Sequence, residues 1–152
     1  MNNNVQKAQP SVGFIGLGVM GHRMLANMTA HGGFNITRAW DPDRQACELV
    51  KQAYPKIVIS ESAEDLVRDR EVDVVYIASP PASHHAYALL AAAVSKAIYC
   101  EKPLGVNISS SSEMVNAVES AEVLNVVNFP FADSQPINFI ESKLADGVVG
   151  DV

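Results

Sequence analysis

Three glycines near the start of the chain have the spacing of a dinucleotide-binding turn. They form the pattern Gly-x-Gly-x-x-Gly, which follows an apolar run and opens a segment of helical periodicity. The first glycine permits a tight turn, the second lets the backbone approach a pyrophosphate, and the third lets helix and strand pack closely. The N–H groups of the first helical turn would bind the phosphates. The predicted phosphate-binding residues are Gly16, Leu17, Gly18, Val19, Met20 and Gly21.

A carboxylate follows at the end of the second predicted strand. Asp41 stands 20 residues after Gly21, which is the spacing expected for a residue that accepts hydrogen bonds from ribose hydroxyls. Its charge would repel a 2′-phosphate and so favours NAD over NADP. Arg44 lies three residues further on and could bind a 2′-phosphate, which keeps NADP as an alternative. Asp41 could instead only cap the helix after Pro42.

Further polar residues follow two later strands. Because the carboxyl ends of parallel strands meet at one sheet edge, we expect these residues to border the nicotinamide half of the cofactor. Lys102 could hydrogen-bond a substrate hydroxyl, stabilise the developing alkoxide or relay its proton. Alternatively, His84 is an inert histidine at a helix start, and Glu101 and Lys102 form a solvated ion pair. The predicted cofactor-binding residues at this edge are Ala78, Ser79, Pro80, His84, Glu101 and Lys102.

The elements that must position these residues alternate along the whole chain. Short apolar runs separate segments of helical period, a pattern typical of an α/β fold with a doubly wound parallel sheet, the Rossmann fold. The segment Val72–Ala78 is apolar almost throughout and is predicted to be central. Ser62 and Ser110 are predicted to cap helices. The predicted strands are about 11–16, 35–41, 56–60, 72–78, 97–101 and 126–129, and the helices about 19–31, 43–53, 63–69, 83–94, 110–123 and 135–146.

Composition excludes several classes of protein. The chain has 152 residues, about the length of one domain, and a formal net charge of −6 without any basic cluster, so nucleic acid and anionic membranes are not expected partners. The longest apolar run, Ala86–Val94, has about half of the roughly 20 residues that cross a bilayer. Cys47 and Cys100 form no Cys-x-x-Cys pair, so we expect a reducing, cytoplasmic compartment and no metal site.

Together these motifs resemble the N-terminal half of the glucose-fructose oxidoreductase/inositol dehydrogenase (Gfo/Idh/MocA) family. In that family a Pro-x-x-x-His turn precedes a Glu-Lys-Pro by one helix and one strand. Pro80, His84 and Glu101-Lys102-Pro103 keep this order and spacing. The resemblance extends over about residues 12–152.

The resemblance implies a two-domain NAD(P)-dependent oxidoreductase that acts on CH–OH groups of sugars, cyclitols or related polyols. Lys102 matches the lysine of the family's catalytic group, and Glu101 and Lys102 border the nicotinamide in that family. The resemblance also implies a C-terminal α/β substrate domain that we expect to be missing from this chain, so this fragment alone is expected to be inactive. The parent enzyme is expected to be a homo-oligomer. We expect a flexible leader at 1–10, the Rossmann domain at 11–147 and the start of a truncated second domain at 148–152.

The sequence also departs from the family and leaves alternatives. The family commonly has a glycine near the position of Ser95, where the fourth helix ends. It also has an arginine in the stretch after the sixth strand, whereas residues 128–136 of this chain contain no arginine. The segment Gly13–Gly21 also resembles the β-hydroxyacid dehydrogenases, which share a Gly-Leu-Gly-x-Met-Gly start. A binding module that senses nicotinamide nucleotides without catalysis is a third hypothesis.

Overall fold

Strands and helices alternate along the chain, with boundaries within about three residues of the predicted ones. The computed structural model describes residues 9–130, 134–148 and 150. Within these ranges the strands are β1 (Ser11–Ile15), β2 (Asn35–Trp40), β3 (Val58–Ile59), β4 (Val74–Ile77), β5 (Ala97–Glu101) and β6 (Asn125–Asn128). The helices are α1 (Val19–His31), α2 (Arg44–Ala53), α3 (Ala63–Arg68), α4 (Pro81–Ala93), α5 (Ile108–Ser120) and α6 (Gln135–Ala145).

The six strands form one parallel sheet in the order β3-β2-β1-β4-β5-β6. The predicted doubly wound Rossmann fold is confirmed. The predicted central strand is also confirmed, because β4 pairs with β1 on one side and β5 on the other. The chain reverses its direction of winding between β1 and β4, which opens a crevice at the carboxyl ends of these two strands.

A hydrophobic layer lies on each face of the sheet. On one face α1 and α2 pack against β1 and β4 through buried side chains such as Leu25, Val50 and Phe14. On the other face α3, α4 and α5 cover the sheet, with Leu66 and Ile77 fully buried between them. Because β1 and β4 are covered on both faces, their carboxyl ends are held rigidly.

The start of α5 differs from the sequence prediction. The Ser62 cap on α3 is confirmed, since its hydroxyl accepts the Asp65 N–H at 3.0 Å. The Ser110 cap is wrong: α5 begins at Ile108, and the side-chain oxygen of Asn107 accepts the Ser110 N–H at 2.8 Å. Asparagine caps at least as well as serine, so the helix starts at the earlier of the two available caps.

Three expectations concern the chain ends and special sites. Residues 1–8 of the expected leader, and 149, 151 and 152 of the expected second-domain start, lie outside the described residues. In the described ranges, no helix is long and apolar enough to cross a membrane. The same ranges contain no group of three or more His, Cys, Asp or Glu side chains arranged to hold a metal ion.

The α4–β5 turn generates a stability prediction. Ser95 is exposed and has a φ of 57°, in the left-handed region that costs residues other than glycine about 1–2 kcal/mol. Ser95→Gly should therefore raise the free energy of unfolding by about 1 kcal/mol, which corresponds to about 2–4 °C in the melting temperature.

Ser112→Gly is the matched control for this experiment. Ser112 is exposed on α5, where glycine is a poorer helix former, so this variant should lose about 0.5 kcal/mol. Chemical denaturation of both variants measures the difference. A destabilised Ser95→Gly variant would show that the turn is not strained.

Candidate functional site

The glycine turn joins β1 to α1 and packs closely against neighbouring backbone. Gly16 has a φ of +96°, and a Cβ atom on it would lie 2.4 Å from the backbone nitrogen of Ser79. A Cβ on Gly21 would lie 2.0 Å from the carbonyl oxygen of Gly16. These two positions therefore require glycine for the fold itself. A Cβ on Gly18, in contrast, would meet no atom within 4 Å, so the space above Gly18 is open.

The first turn of α1 presents free backbone donors to this space. Gly18 is the N-cap and has no side chain that could bind the N–H groups of the turn. Val19 is 86% exposed, and α1 carries no acidic residue in its first turn. A helix N-terminus with open N–H groups and a partial positive charge suits a phosphate. The residues at this turn thus fit the diphosphate of a dinucleotide.

Asp41 supports the glycine turn from the end of β2. One carboxylate oxygen accepts the Leu17 N–H at 2.6 Å, and the other accepts the Asp43 N–H at 2.8 Å. Each oxygen keeps a further lone pair for a ribose hydroxyl. The cap of α2 is Asp43, whose side chain accepts the Gln45 N–H at 2.9 Å. Asp41 is thus free of the capping role that the sequence left open.

A cleft of about 710 Å³ extends from the glycine turn along the carboxyl edge of the sheet. Its volume is in the range of small-molecule sites. The structure brings eight of the fourteen predicted cofactor-binding residues to this cleft. The six that do not line it are Leu17, Gly21, Arg44, His84, Glu101 and Lys102. Five further residues line it that sequence reasoning missed. The predicted residues are Gly16, Gly18, Val19, Met20, Asp41, Ala78, Ser79 and Pro80, and the missed ones are Trp40, Pro42, Ala82, Ser83 and Tyr87.

His84 is buried between two turns of the carboxyl edge, with 1% of its surface exposed. Its Nε2 lies 2.7 Å from the Ser79 carbonyl oxygen, and its Nδ1 lies 2.9 Å from the Pro103 carbonyl oxygen. Both partners are acceptors, so each ring nitrogen that carries hydrogen donates to one of them. The ring therefore connects the turn after β4 to the turn after β5, and its edge contacts backbone.

Glu101 lies at the centre of a buried polar network that spans three strands. Its Oε1 accepts the Tyr76 hydroxyl at 2.5 Å and the Asn128 amide at 2.6 Å. Glu101 and Asn128 are 4% and 8% exposed. The other carboxylate oxygen, Oε2, is buried and has no hydrogen-bond partner among the described residues. Glu101 Oε2 is thus an unpaired hydrogen-bond acceptor at the carboxyl end of β5.

The network keeps its neighbours protonated. Burial, together with the Glu101 carboxylate, raises the pKa of the Tyr76 hydroxyl far above its usual range, so Tyr76 remains a donor to Glu101. Burial, with a smaller contribution from Glu101, also raises the pKa of the Cys100 thiol to about 12. Cys100 is consequently a neutral core residue and not a nucleophile at neutral pH.

Lys102 follows Glu101 in the chain but is not part of the buried network. It is exposed, and no described residue forms a hydrogen bond or ion pair with its ammonium group. The solvated ion pair with Glu101, which the sequence left as an alternative, is not formed among the described residues, since Glu101 binds Tyr76 and Asn128 instead. A free cation next to a buried carboxylate, at the end of β5, is available to a ligand at the sheet edge.

The chain is similar to known proteins in both its sequence and its fold. Residues 11–129 match the model of an oxidoreductase family with an NAD-binding Rossmann fold. The chain is 30% identical over 137 residues to inositol 2-dehydrogenase of Agrobacterium fabrum, covering 88% of this chain and 40% of that protein. It is 38% identical over 96 residues to trans-1,2-dihydrobenzene-1,2-diol dehydrogenase of Oryctolagus cuniculus, covering 60% and 28%. These matches do not favour the β-hydroxyacid dehydrogenase alternative.

The solved structure of scyllo-inositol dehydrogenase from Lactobacillus casei, with bound NAD(H) and scyllo-inositol, superimposes with a TM-score of 0.87 at 19% identity. The match covers 94% of this chain and 43% of that one, and at this identity it shows the shared fold. The chain spans less than half the length of all three relatives.

The two glycines that open α1 generate opposite predictions. Gly21→Ala places a methyl group against the Gly16 carbonyl and should destabilise the fold by about 3 kcal/mol. Gly18→Ala should change stability by less than about 1 kcal/mol, because its φ of −67° suits alanine and no atom is near.

Binding separates the two variants further. The added methyl of Gly18→Ala enters the space that fits a diphosphate, so the Kd for NAD should rise about tenfold or more. Thermal unfolding and titration calorimetry measure the two effects. A Gly18→Ala variant that binds NAD as tightly as the parent chain would show that the diphosphate lies elsewhere.

Proposed function

Since the chain belongs to the glucose-fructose oxidoreductase/inositol dehydrogenase (Gfo/Idh/MocA) family, we propose that it is the cofactor-binding part of an enzyme that oxidises a CH–OH group of a sugar, cyclitol or related polyol. The observation that carries the proposal is the common position of the glycine turn, Asp41 and the free ammonium of Lys102 at the carboxyl edge of one sheet. Two relatives are named as dehydrogenases of inositol and of a dihydrodiol, both of which carry neighbouring hydroxyl groups.

Each residue has a separate part in this proposal. A bound nicotinamide would supply the hydride acceptor for the carbon that carries the hydroxyl. The open N–H groups of α1 hold the diphosphate, and Asp41 holds a ribose. Lys102 is the proposed catalytic residue: its ammonium donates a hydrogen bond to the substrate oxygen and stabilises the negative charge that develops there, while the hydroxyl proton passes to a base that the proposal assigns to the second domain. Glu101 and His84 fix the turn that carries Lys102.

NAD is the proposed cofactor in preference to NADP. One Asp41 oxygen accepts from the glycine turn and the other from the turn before α2, and the proposal lets both meet the ribose hydroxyls. Their charge disfavours a phosphate there. Arg44, exposed in the first turn of α2, is the cation that would serve NADP.

The proposal extends to the second domain, the cellular compartment and the assembly of the parent enzyme. A second domain would provide the remaining substrate contacts, since the relatives are more than twice as long as the matched region. The cytoplasm suits the two buried, unpaired thiols. Assembly as a homo-oligomer is proposed for the parent enzyme.

Asp41→Asn tests the cofactor assignment on this chain. The amide is close in shape to the carboxylate, but it removes the charge and replaces one of the two acceptor oxygens by an NH₂ group. The lost acceptor affects both nucleotides alike, whereas the lost charge should lower the preference for NAD over NADP about 10- to 100-fold. Calorimetry with both nucleotides measures the ratio. Arg44→Ala is the control and should weaken only NADP. An unchanged ratio in Asp41→Asn would contradict the assignment, and a folded parent chain that binds neither nucleotide would contradict the proposed function.

Lys102→Ala tests the catalytic assignment in a full-length enzyme that carries this domain. Loss of the ammonium should lower kcat by about 100-fold or more, while the Kd for NAD stays unchanged because Lys102 does not line the cleft. Lys51→Ala, an exposed lysine on α2, should leave both values unchanged. Stopped-flow measurement of hydride transfer and equilibrium binding separate the two effects. Turnover that survives Lys102→Ala would exclude this role.

A further inference from the structure

The side-chain amide of Asn128 contacts two side chains of the neighbouring strand β5. Asn128 is the last residue of β6 and is buried. Its Nδ2 donates to Glu101 Oε1 at 2.6 Å, while its Oδ1 accepts the Tyr99 hydroxyl at 3.3 Å. A carboxylate can only accept hydrogen bonds, so the amide must turn its NH₂ group toward Glu101. The Tyr99 hydroxyl then pairs with the amide oxygen that remains.

Neutral donors surround a single negative charge in this network. Tyr76 on β4 is the second donor to Glu101 Oε1, at 2.5 Å. Burial, followed by the Glu101 charge, raises the pKa of the Tyr99 hydroxyl, so Tyr99 stays protonated at neutral pH. Glu101 Oε2 has no partner among the described residues, so the two bonds to Oε1 are those that replace water around the buried carboxylate. Asn128 provides one of these two bonds.

The Glu101 carboxylate anchors the backbone from which Lys102 projects. Lys102 follows Glu101 directly at the end of β5 and is exposed. Because no described residue binds the Lys102 ammonium, its position depends on the backbone at Glu101. A group that orients the Glu101 carboxylate therefore also acts on Lys102. Asn128 is such a group, and it does so from a strand that lies 27 residues further along the chain.

We propose that Asn128 is a positioning residue for Lys102: it holds the Glu101 carboxylate in its charged form and thereby fixes the turn that carries the ammonium. The inference deepens the proposed function and rests on the role that Lys102 has there. Asn128 acts through Glu101 and is not itself a catalytic residue. An amide suits this place better than a carboxyl group, because a second negative charge beside Glu101 would force the two groups to bind a proton.

Asn128→Asp converts this property into a test. The variant keeps the size of the side chain but places two carboxyl groups in hydrogen-bond contact, and such a pair shares one proton. At low pH the shared proton restores a hydrogen bond, whereas at high pH the two charges repel each other. The titratable groups in contact with the pair are Tyr76, Tyr99 and Cys100, which stay protonated in this range, and the charged Lys102 adjoins it. The variant should therefore be impaired at high pH and rescued at low pH.

The first measurement is the pH profile of a full-length enzyme that carries this domain, with inositol as the probe substrate. Asn128→Asp should lower kcat about tenfold at about pH 8 and return to within about twofold of the parent value at about pH 5.5. The KM for NAD should change less than about twofold, because Asn128 does not line the cleft. Asn125→Asp is the matched control, since Asn125 is exposed on the same strand and should keep the parent profile. Asn128→Leu adds no titratable group, so its loss of kcat should not depend on pH.

The second measurement needs no substrate and uses this chain alone. In NMR spectra the backbone amide of Lys102 should match the parent chain at about pH 5.5 in Asn128→Asp and move away from it toward about pH 8. Asn125→Asp should leave this amide unchanged at both values. Tyr99→Phe removes the hydroxyl that pairs with Asn128 Oδ1, and it should displace the Lys102 amide by a smaller amount that does not depend on pH.

The outcomes distinguish this inference from the proposal on which it rests. If Lys102→Ala abolishes turnover but Asn128→Asp keeps the parent pH profile, the positioning role is overturned and the role of Lys102 stands. A loss in Asn128→Asp that is equal at every pH also overturns it, because a packing defect alone has that effect. If turnover survives Lys102→Ala, both fail. Should the enzyme not oxidise inositol, an unmoved Lys102 amide in Asn128→Asp overturns the inference; should that variant not fold, an unmoved amide in Tyr99→Phe does.

Discussion

The approach of α1 to the end of β1 is the contact on which the carboxyl edge depends. It requires hydrogen in place of a side chain at Gly16 and Gly21, because a Cβ atom at either position would overlap backbone. Two backbone hydrogen bonds complete the junction: Gly16 N–H donates to the Trp40 carbonyl at 2.9 Å, and Ala78 N–H donates to the Ile15 carbonyl at 2.8 Å. The ends of β1, β2 and β4 are thereby fixed relative to one another, and the cleft takes its shape from them.

A second constraint acts at the other half of the edge, where a carboxylate is buried. Removing a charge from water is costly unless hydrogen bonds replace the solvent. Tyr76 from β4 and Asn128 from β6 provide two donors to Glu101 on β5, so the network ties three neighbouring strands together near their carboxyl ends. Since a lost partner would leave the charge uncompensated, the network also specifies how these strand ends align.

Local sequence patterns predicted most of the fold, but they did not predict contacts between segments that are distant in the chain. The alternation of strands and helices and the glycine turn follow from periodicity and from spacing within about 25 residues. The cap of α5 was misplaced because Asn107 and Ser110 both suit a helix start, and only the structure shows which one binds the backbone. Trp40 and Tyr87 are 47 positions apart in the sequence and look like ordinary core residues. The partners of Glu101 were equally invisible, because Tyr76 and Asn128 lie on other strands.

The imidazole of His84 has a mechanical consequence. It bridges carbonyl groups that belong to two turns, 24 residues apart in the chain, and it does so away from water. Moving one turn without the other would break a hydrogen bond in a buried place, where the loss is expensive. The Ser79 and Pro103 turns therefore shift together as one stiff lip. Because Ser79 lines the cleft and Pro103 follows Lys102 directly, a displacement of the first turn would also displace the backbone beside Lys102.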